Sequence, residues 1–261
     1  MTVLDSFSLK GKTALVTGGA GLCGRQIVRA LAEAGAKTFA ASRGLAALRA
    51  DAARLAADGL DVTALGLDLG DERSILDLRD EIVKRAGGLE VLVNNAVLRP
   101  MKKGFGDESS AFAESMKVNA TGLFLITRAM GDVMAARGGG SIINIGSIHG
   151  MIGPDPPIYE GTEMHGFYPD YFFHKGGMLN FTRFTASYYG AKGVRCNCVS
   201  PGGFRTETMP AAFVGNYSRR TFLGRLAGDT DLMGVVVFLA ADASSYITGA
   251  NIAVDGGYTA K

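Results

Sequence analysis

The chain has 261 residues, 47% hydrophobic and 20% charged, with 27 Lys and Arg against 25 Asp and Glu for a formal net charge of +2. These are globular values, and so small a charge gives no purchase on nucleic acid or an anionic membrane surface. No apolar run approaches the roughly 18 residues a bilayer span needs. Met1–Lys10 lacks a basic segment followed by an apolar one, so no signal peptide is expected. The three cysteines, Cys23, Cys196 and Cys198, form no framework, which fits a reducing cytoplasm. Cys196 and Cys198 lie two apart on an expected strand and are read as buried packing; no metal site is expected.

Lys12–Thr17 is a short apolar run ending in Thr17-Gly18-Gly19-Ala20-Gly21-Leu22-Cys23-Gly24, and an amphipathic helix follows. Strand, glycine turn and helix together are the setting in which Gly18, Gly21, Leu22, Cys23 and Gly24 read as a pyrophosphate cradle. Lys37–Ser42 reads as a second strand. It ends at Ser42-Arg43 without a carboxylate. An arginine there accommodates a 2′-phosphate, so NADP is expected, with NAD the alternative. Leu45–Ala57 reads as a helix and Asp61–Leu67 as a strand running into Asp68-Leu69. Asp68 either accepts from an adenine amino group or caps the helix that begins near Asp71.

Leu89–Val93 is a fourth strand, ending in Asn94-Asn95-Ala96, whose amides can tie neighbouring strands together. Asp107–Arg137 reads as one long helix with Asn119 near its middle, where an asparagine competes for backbone groups and distorts the ladder. Ser141–Ile145 is a fifth strand. Ser147 follows it, beyond the carboxyl end of a central strand, where such sheets bind ligands. Met151–Asp170 has no periodicity and reads as a functional loop. Val194–Val199 is a sixth strand, Thr206–Arg220 a lid, Asp231–Ala241 a helix and Asn251–Val254 a last strand. Strands alternating with helices imply a parallel α/β sheet covered on both faces, in a single domain over 1–261.

Between the loop and the sixth strand, Pro169–Tyr189 has helical character and carries Tyr171-x-x-x-Lys175. Residues four apart share a helix face. The ammonium therefore favours the phenolate of its neighbour and brings a proton donor and acceptor toward neutral pH.

Thr17-Gly18…Gly24, Asn94-Asn95-Ala96, Asn119, Ser147, Tyr171-x-x-x-Lys175 and Pro201-Gly202, in this order, resemble the short-chain dehydrogenase/reductase superfamily over almost the whole chain. The resemblance implies a Rossmann-type, doubly wound, seven-stranded parallel sheet, and homotetramers or homodimers. It implies that Tyr171 is the general acid/base and that Lys175 lowers its pKa and bonds the nicotinamide ribose. Ser147 would orient the reacting oxygen and Asn119 would hold a water leading to solvent. Cofactor contacts would come from Gly18, Gly21, Leu22, Cys23, Gly24, Ser42, Arg43, Asp68, Leu69, Asn95, Ala96, Tyr171, Lys175, Pro201, Gly202, Phe204 and Thr206.

Four features depart from the family pattern. Leu22 and Gly21 shift the glycine spacing, Val97 follows Asn-Asn-Ala, Gly146 precedes Ser147, and Ser147 and Tyr171 stand unusually far apart. The last makes 151–170 an active-site insertion, similar to that of a subgroup acting in sugar and flagellin-glycan modification, with 204–222 as substrate lid. The insertion is polar. The expected reaction is therefore NAD(P)-dependent interconversion of a secondary alcohol and a ketone on a sugar-like or hydroxy-acid substrate. Arg99, His149, Tyr159, Glu160 and Arg205 are candidates to touch it. A non-redox epimerase or dehydratase with tightly held cofactor, or an idle cofactor-binding subunit, are the alternatives. His165 and His174 are read as surface or packing residues, since His174 adjoins Lys175 on a different helix face.

Overall fold

The computed structural model describes residues 2–261. Seven strands form one sheet: β1 (Thr13–Thr17), β2 (Lys37–Ser42), β3 (Val62–Gly66), β4 (Val91–Asn94), β5 (Gly140–Ile145), β6 (Val194–Pro201) and β7 (Asn251–Val254). Their order is β3-β2-β1-β4-β5-β6-β7, and every pairing is parallel. The chain reverses direction of travel between β1 and β4, which opens a crevice at the carboxyl ends of those two strands.

Eight α-helices cover the sheet: α1 (Leu22–Glu33), α2 (Leu45–Ala57), α3 (Glu72–Ala86), α4 (Ser109–Met116), α5 (Leu123–Ala136), α6 (Pro169–Gly190), α7 (Ala211–Ser218) and α8 (Met233–Ala240). The strand alternation sorts them into two layers. Ala14 and Val16 of β1 face a core with Ile27, Leu31, Leu48, Val236 and Leu239, from α1, α2 and α8. Leu15 faces the other way, with Ile75, Ile82, Ile126, Met130 and Tyr189, from α3, α5 and α6. A third, smaller cluster of Ile148, Ile158, Phe213, Tyr217, Leu226 and Tyr258 joins the segment 151–170 to α7.

The long helix read over Asp107–Arg137 is interrupted. Between α4 and α5, Lys117–Gly122 winds as a π-helix turn with Asn119 inside it. Asp107 lies outside the helix, and its carboxylate accepts from the backbone N–H groups of Lys102 and Lys103. Asp71, not Asp68, caps α3, accepting from Arg73 N at 2.9 Å. Among the described residues no helix is long and apolar enough to cross a membrane, and no group of His, Cys, Asp and Glu could hold a metal ion.

Candidate active site

The glycine turn is dictated by close backbone approaches. Gly18 has φ +68°, and a Cβ on it would stand 2.8 Å from Ala96 Cα. A Cβ on Gly24 would stand 2.1 Å from the carbonyl oxygen of Gly18. The turn therefore folds flat against the end of β4 and delivers the first N–H groups of α1 to the crevice, an anion-binding arrangement. Gly21, the residue before α1, bonds back to Gly18 O at 3.0 Å. Leu22 is 45% exposed beside it. This cradle fits the pyrophosphate of a dinucleotide. At the end of β2 Arg43 is exposed and forms no ion pair among the described residues, while Ser42 Oγ is buried without a partner.

Asn95 clamps the turn, its Nδ2 donating to Thr17 O at 3.0 Å and to Gly18 O at 3.1 Å. Thr17 Oγ1 accepts from the backbone of Asn95 and Ala96 and donates to Val93 O. Asn94 Nδ2 donates to Asn144 Oδ1 on β5 and to Thr127 Oγ1 on α5. Asn144 passes the chain on to Thr182 Oγ1 on α6. The two amides thus tie β1, β4, β5 and the helices behind them, which is the tying role their place in the order suggested.

α6 begins at Pro169, a residue suited to a first helical turn, and brings Tyr171 and Lys175 to the crevice. Lys175 is buried, and its ammonium donates to Ile145 O at the end of β5. Its Nζ lies 5.7 Å from the centroid of the Tyr171 ring. On the other side the Arg99 guanidinium lies 4.3 Å from the same centroid, a cation–π distance. Burial opposes ionisation of Tyr171. The charges of Lys175 and Arg99, with hydrogen bonds from Ser147 and Arg99, outweigh it and hold the phenol below its ordinary value. Burial likewise pulls Lys175 down, opposed mainly by Tyr171. Ser147 is buried, and its Oγ accepts from His149 N. His149 stacks on Phe172 at 4.5 Å and meets the Tyr171 ring edge-on at 5.9 Å. Burial and the Arg99 charge lower its pKa to about 4.

The π turn places the Asn119 side chain against the loop after β4. Its Oδ1 accepts from Leu98 N at 2.8 Å, and its Nδ2 donates to Leu98 O at 2.7 Å and to Ser115 Oγ at 2.9 Å. Asn119 therefore fixes the backbone immediately before Arg99. Gly146, in place of the expected serine, has a local cause: a Cβ there would lie 2.7 Å from Cys198 Sγ. The extra residues before Tyr171 do not separate it from Ser147. Gly150 packs against α6, where a Cβ would meet Lys175 O at 2.6 Å. The rest of the segment leans on α7.

Of the substrate candidates, Arg99 and His149 come together at Tyr171. Tyr159 packs on Phe213 at 5.6 Å, within the apolar cluster under α7. Glu160 and Arg205 lie apart from that group in their recorded contacts. Both are exposed, Glu160 engaged through its backbone carbonyl with Asn216 and Arg205 through its backbone N–H with Ala227. The cations acting on Tyr171 are Lys175 and Arg99. Leu69 and Phe204 are buried in the cores, and Pro201 ends β6, followed by Gly202, whose N–H donates to Val254 O. Thr206 Oγ1 meets Thr208. Asp68 is exposed and accepts from Gly70 N. His174, read from the sequence as lying on another helix face, is 4% exposed and packs edge-to-face on Tyr171 at 5.2 Å. It stands three residues after Tyr171. That spacing shares a face as surely as four does, and was the signal available.

A family model described as enoyl-(acyl carrier protein) reductase matches residues 20–259. A crystal structure of a short-chain type dehydrogenase/reductase from Mycobacterium marinum superposes with a TM-score of 0.89 at 30% identity, covering 100% of both chains. This chain is a short-chain dehydrogenase/reductase. As such it is an NAD(P)-dependent oxidoreductase acting on a CH–OH group. Among curated relatives, galactitol 2-dehydrogenase (L-tagatose-forming) of Cereibacter sphaeroides is 32% identical over 97% of each chain. D-threitol dehydrogenase of Mycolicibacterium smegmatis is 30% identical over 100% of this short-chain dehydrogenase and 98% of its own length. Gluconate 5-dehydrogenase from Burkholderia cenocepacia, solved in complex with NADP and tartrate, has a TM-score of 0.89 at 30% identity with full coverage of both chains.

Proposed function

We propose that this enzyme interconverts a secondary hydroxyl and a ketone on a polyhydroxylated, sugar-like acid, with NADP as the preferred coenzyme. The observation that carries the substrate class is Arg99. Its guanidinium is free of ion-pair partners among the described residues and lies over the ring of Tyr171. An arginine so placed binds a carboxylate in two parallel hydrogen bonds while the adjacent carbinol meets the phenol. The similarity to a gluconate dehydrogenase solved with tartrate, and to polyol dehydrogenases, supports this reading. The exposed, unpaired Arg43 supports NADP.

In oxidation the Tyr171 phenolate takes the hydroxyl proton, Ser147 holds the reacting oxygen in line, and Lys175 and Arg99 stabilise the phenolate. A nicotinamide, when bound, would supply the hydride acceptor. In reduction the phenol returns the proton. The cradle of Gly18, Gly21 and Gly24 would hold the pyrophosphate, and Lys175 the nicotinamide ribose. Residues 151–170 and 204–222 together form the cover of the substrate. The exposed row Phe124, Phe173, Phe184 and Tyr188 on α5 and α6 suits self-association into a homodimer or homotetramer. The free thiols of Cys23, Cys196 and Cys198 suit the cytoplasm.

The test is a panel of aldonic acids and matching uncharged polyols with NADP. Tyr171→Phe is expected to lose about 10²–10⁴-fold in turnover on every substrate. Arg99→Leu is expected to slow every substrate through the lost support of the Tyr171 phenolate, and to lower kcat/KM on the acids by about a further 10–100-fold, the worth of a hydrogen bond to a charged group. Equal losses on acids and polyols would remove the acid from the proposal.

A further inference from the structure

Beside Lys175 a cavity of ≈ 10 Å³ is lined by Thr17, Asn94, Asn119, His174, Lys175 and apolar neighbours including Met178. About one water probe fits in a space of that size. Its polar lining can be accounted for atom by atom. Thr17 Oγ1 is engaged by three partners, and the Asn119 amide by Leu98 and Ser115. Asn94 Nδ2 is engaged, but Asn94 Oδ1 is buried with no partner in the protein. Both ring nitrogens of His174 are buried with no partner in the protein. Lys175 has three N–H donors, of which the protein takes one, at Ile145 O.

Two acceptors, Asn94 Oδ1 and the unprotonated His174 nitrogen, thus remain around a space of one water, with free N–H donors on Lys175 and on the other His174 nitrogen. A buried polar atom left without a partner costs about 1–3 kcal/mol, so the coincidence of three such groups at one cavity requires an occupant. A water answers three of them: its hydrogens go to Asn94 Oδ1 and the unprotonated His174 nitrogen, and its lone pair takes a Lys175 N–H.

We propose that His174 and Asn94 hold one water against the buried ammonium of Lys175, and that His174 is thereby a positioning residue for the Tyr171–Lys175 pair. Lys175 is deprived of bulk water, and this hydrogen bond replaces part of its hydration. Remove the partner and the ammonium is less favoured, its pull on Tyr171 weakens, and the phenol becomes harder to ionise. The other titratable groups facing Lys175 are Cys198 on β6, Cys23 on α1 and Arg99 after β4. Those facing His174 are Lys175, Arg99 and the ring of Tyr171. Burial first, and the two cations after it, keep the imidazole neutral, as an acceptor for the water needs to be.

The inference rests on the assignment of Tyr171 and Lys175 above. The experiment compares His174→Phe and His174→Gln with the parent in two readouts. One is the acidic limb of kcat/KM for alcohol oxidation. The other is the near-ultraviolet titration of Tyr171 in the free enzyme, taken as the difference from Tyr171→Phe. His174→Phe is expected to move both upward by about one pH unit, the size of a lost hydrogen bond to a charged group. His174→Gln keeps an acceptor and is expected to return most of the shift, which a merely structural role would not produce. A folded His174→Phe with both readouts unmoved overturns the inference. If His174→Phe does not fold, a crystal structure of the parent enzyme decides. An ordered oxygen bonded to His174, Asn94 and Lys175 upholds the proposal, and none there overturns it. Parent-like turnover of Tyr171→Phe would instead overturn the underlying acid/base assignment.

Discussion

Single residues here act through the charge they present or hide. His149 and His174 are both pushed below the ordinary imidazole value by burial first and by nearby cations second, to about 4 and about 3. A base that binds its proton less well in the fold than in the unfolded chain contributes stability that is present above the unfolded pKa of 6.5. That stability is lost as pH falls toward the folded values. Urea denaturation at successive pH values is expected to show stability falling from pH 6.5 toward pH 4, with a shallower fall in His174→Gln. At the cofactor end, Arg43 follows Ser42 and is exposed. Arg43→Ala is expected to weaken NADP binding by about 10–100-fold while leaving NAD nearly unchanged, by fluorescence titration. Equal effects on both coenzymes would remove the preference for NADP.

Elements matter through what their irregularities position. An uninterrupted helix over 107–137 would present Asn119 on its regular ladder. The π turn Lys117–Gly122 turns it toward the loop after β4, and the asparagine then does the work of a strand partner for Leu98. π turns inside helices recur at functional sites for this reason. Asn119→Ala leaves the N–H and C=O of Leu98 unpaired, and the expected cost is about 1–3 kcal/mol in chemical denaturation. The neighbouring Arg99 should loosen with it, so KM for acidic substrates should rise along with the loss of stability. A stability loss with unchanged KM would separate Asn119 from Arg99.

On the scale of the whole molecule, the segment 151–170 and the stretch around α7 behave as one piece. Asp155 accepts from Tyr258 Oη at 2.8 Å and pairs with Arg220 at 3.1 Å. Asn216 reaches back to Glu160 O at 2.9 Å, and Ile158, Phe213 and Tyr217 share one apolar cluster. The Asp155–Arg220 pair is partly exposed, so on its own it contributes little. The buried Tyr258 loses the acceptor of its hydroxyl with it. Asp155→Ala is expected to speed proteolytic cleavage within 151–170 and 204–222 and to raise KM, with the global unfolding midpoint nearly unchanged. Cleavage at the parent's rate would show that the two segments move independently.

Most of the fold was legible because it is written in local periods. The alternation of β1, the helical spacing of α1 and the glycine turn between them are each set by residues within a few positions of one another, so strand order aside they need no tertiary knowledge. The Tyr171–Lys175 pair was legible for the same reason, since one turn of helix fixes its spacing. Other features hid from the sequence because they join segments far apart in the chain. Asn119 meets Leu98, Arg99 lies over Tyr171, and Asn94 faces His174 across a space the size of a water. Spacing along a helix says which side chains share a face, but only the packing of α4, α5 and α6 against the carboxyl ends of β4 and β5 says what that face meets. For this protein the sequence alone determined the architecture and the pairing of Tyr171 with Lys175 on one helix face. Tertiary structure alone decided which charges and amides surround that pair, because burial and distance set their strength and neither is a local property of the chain.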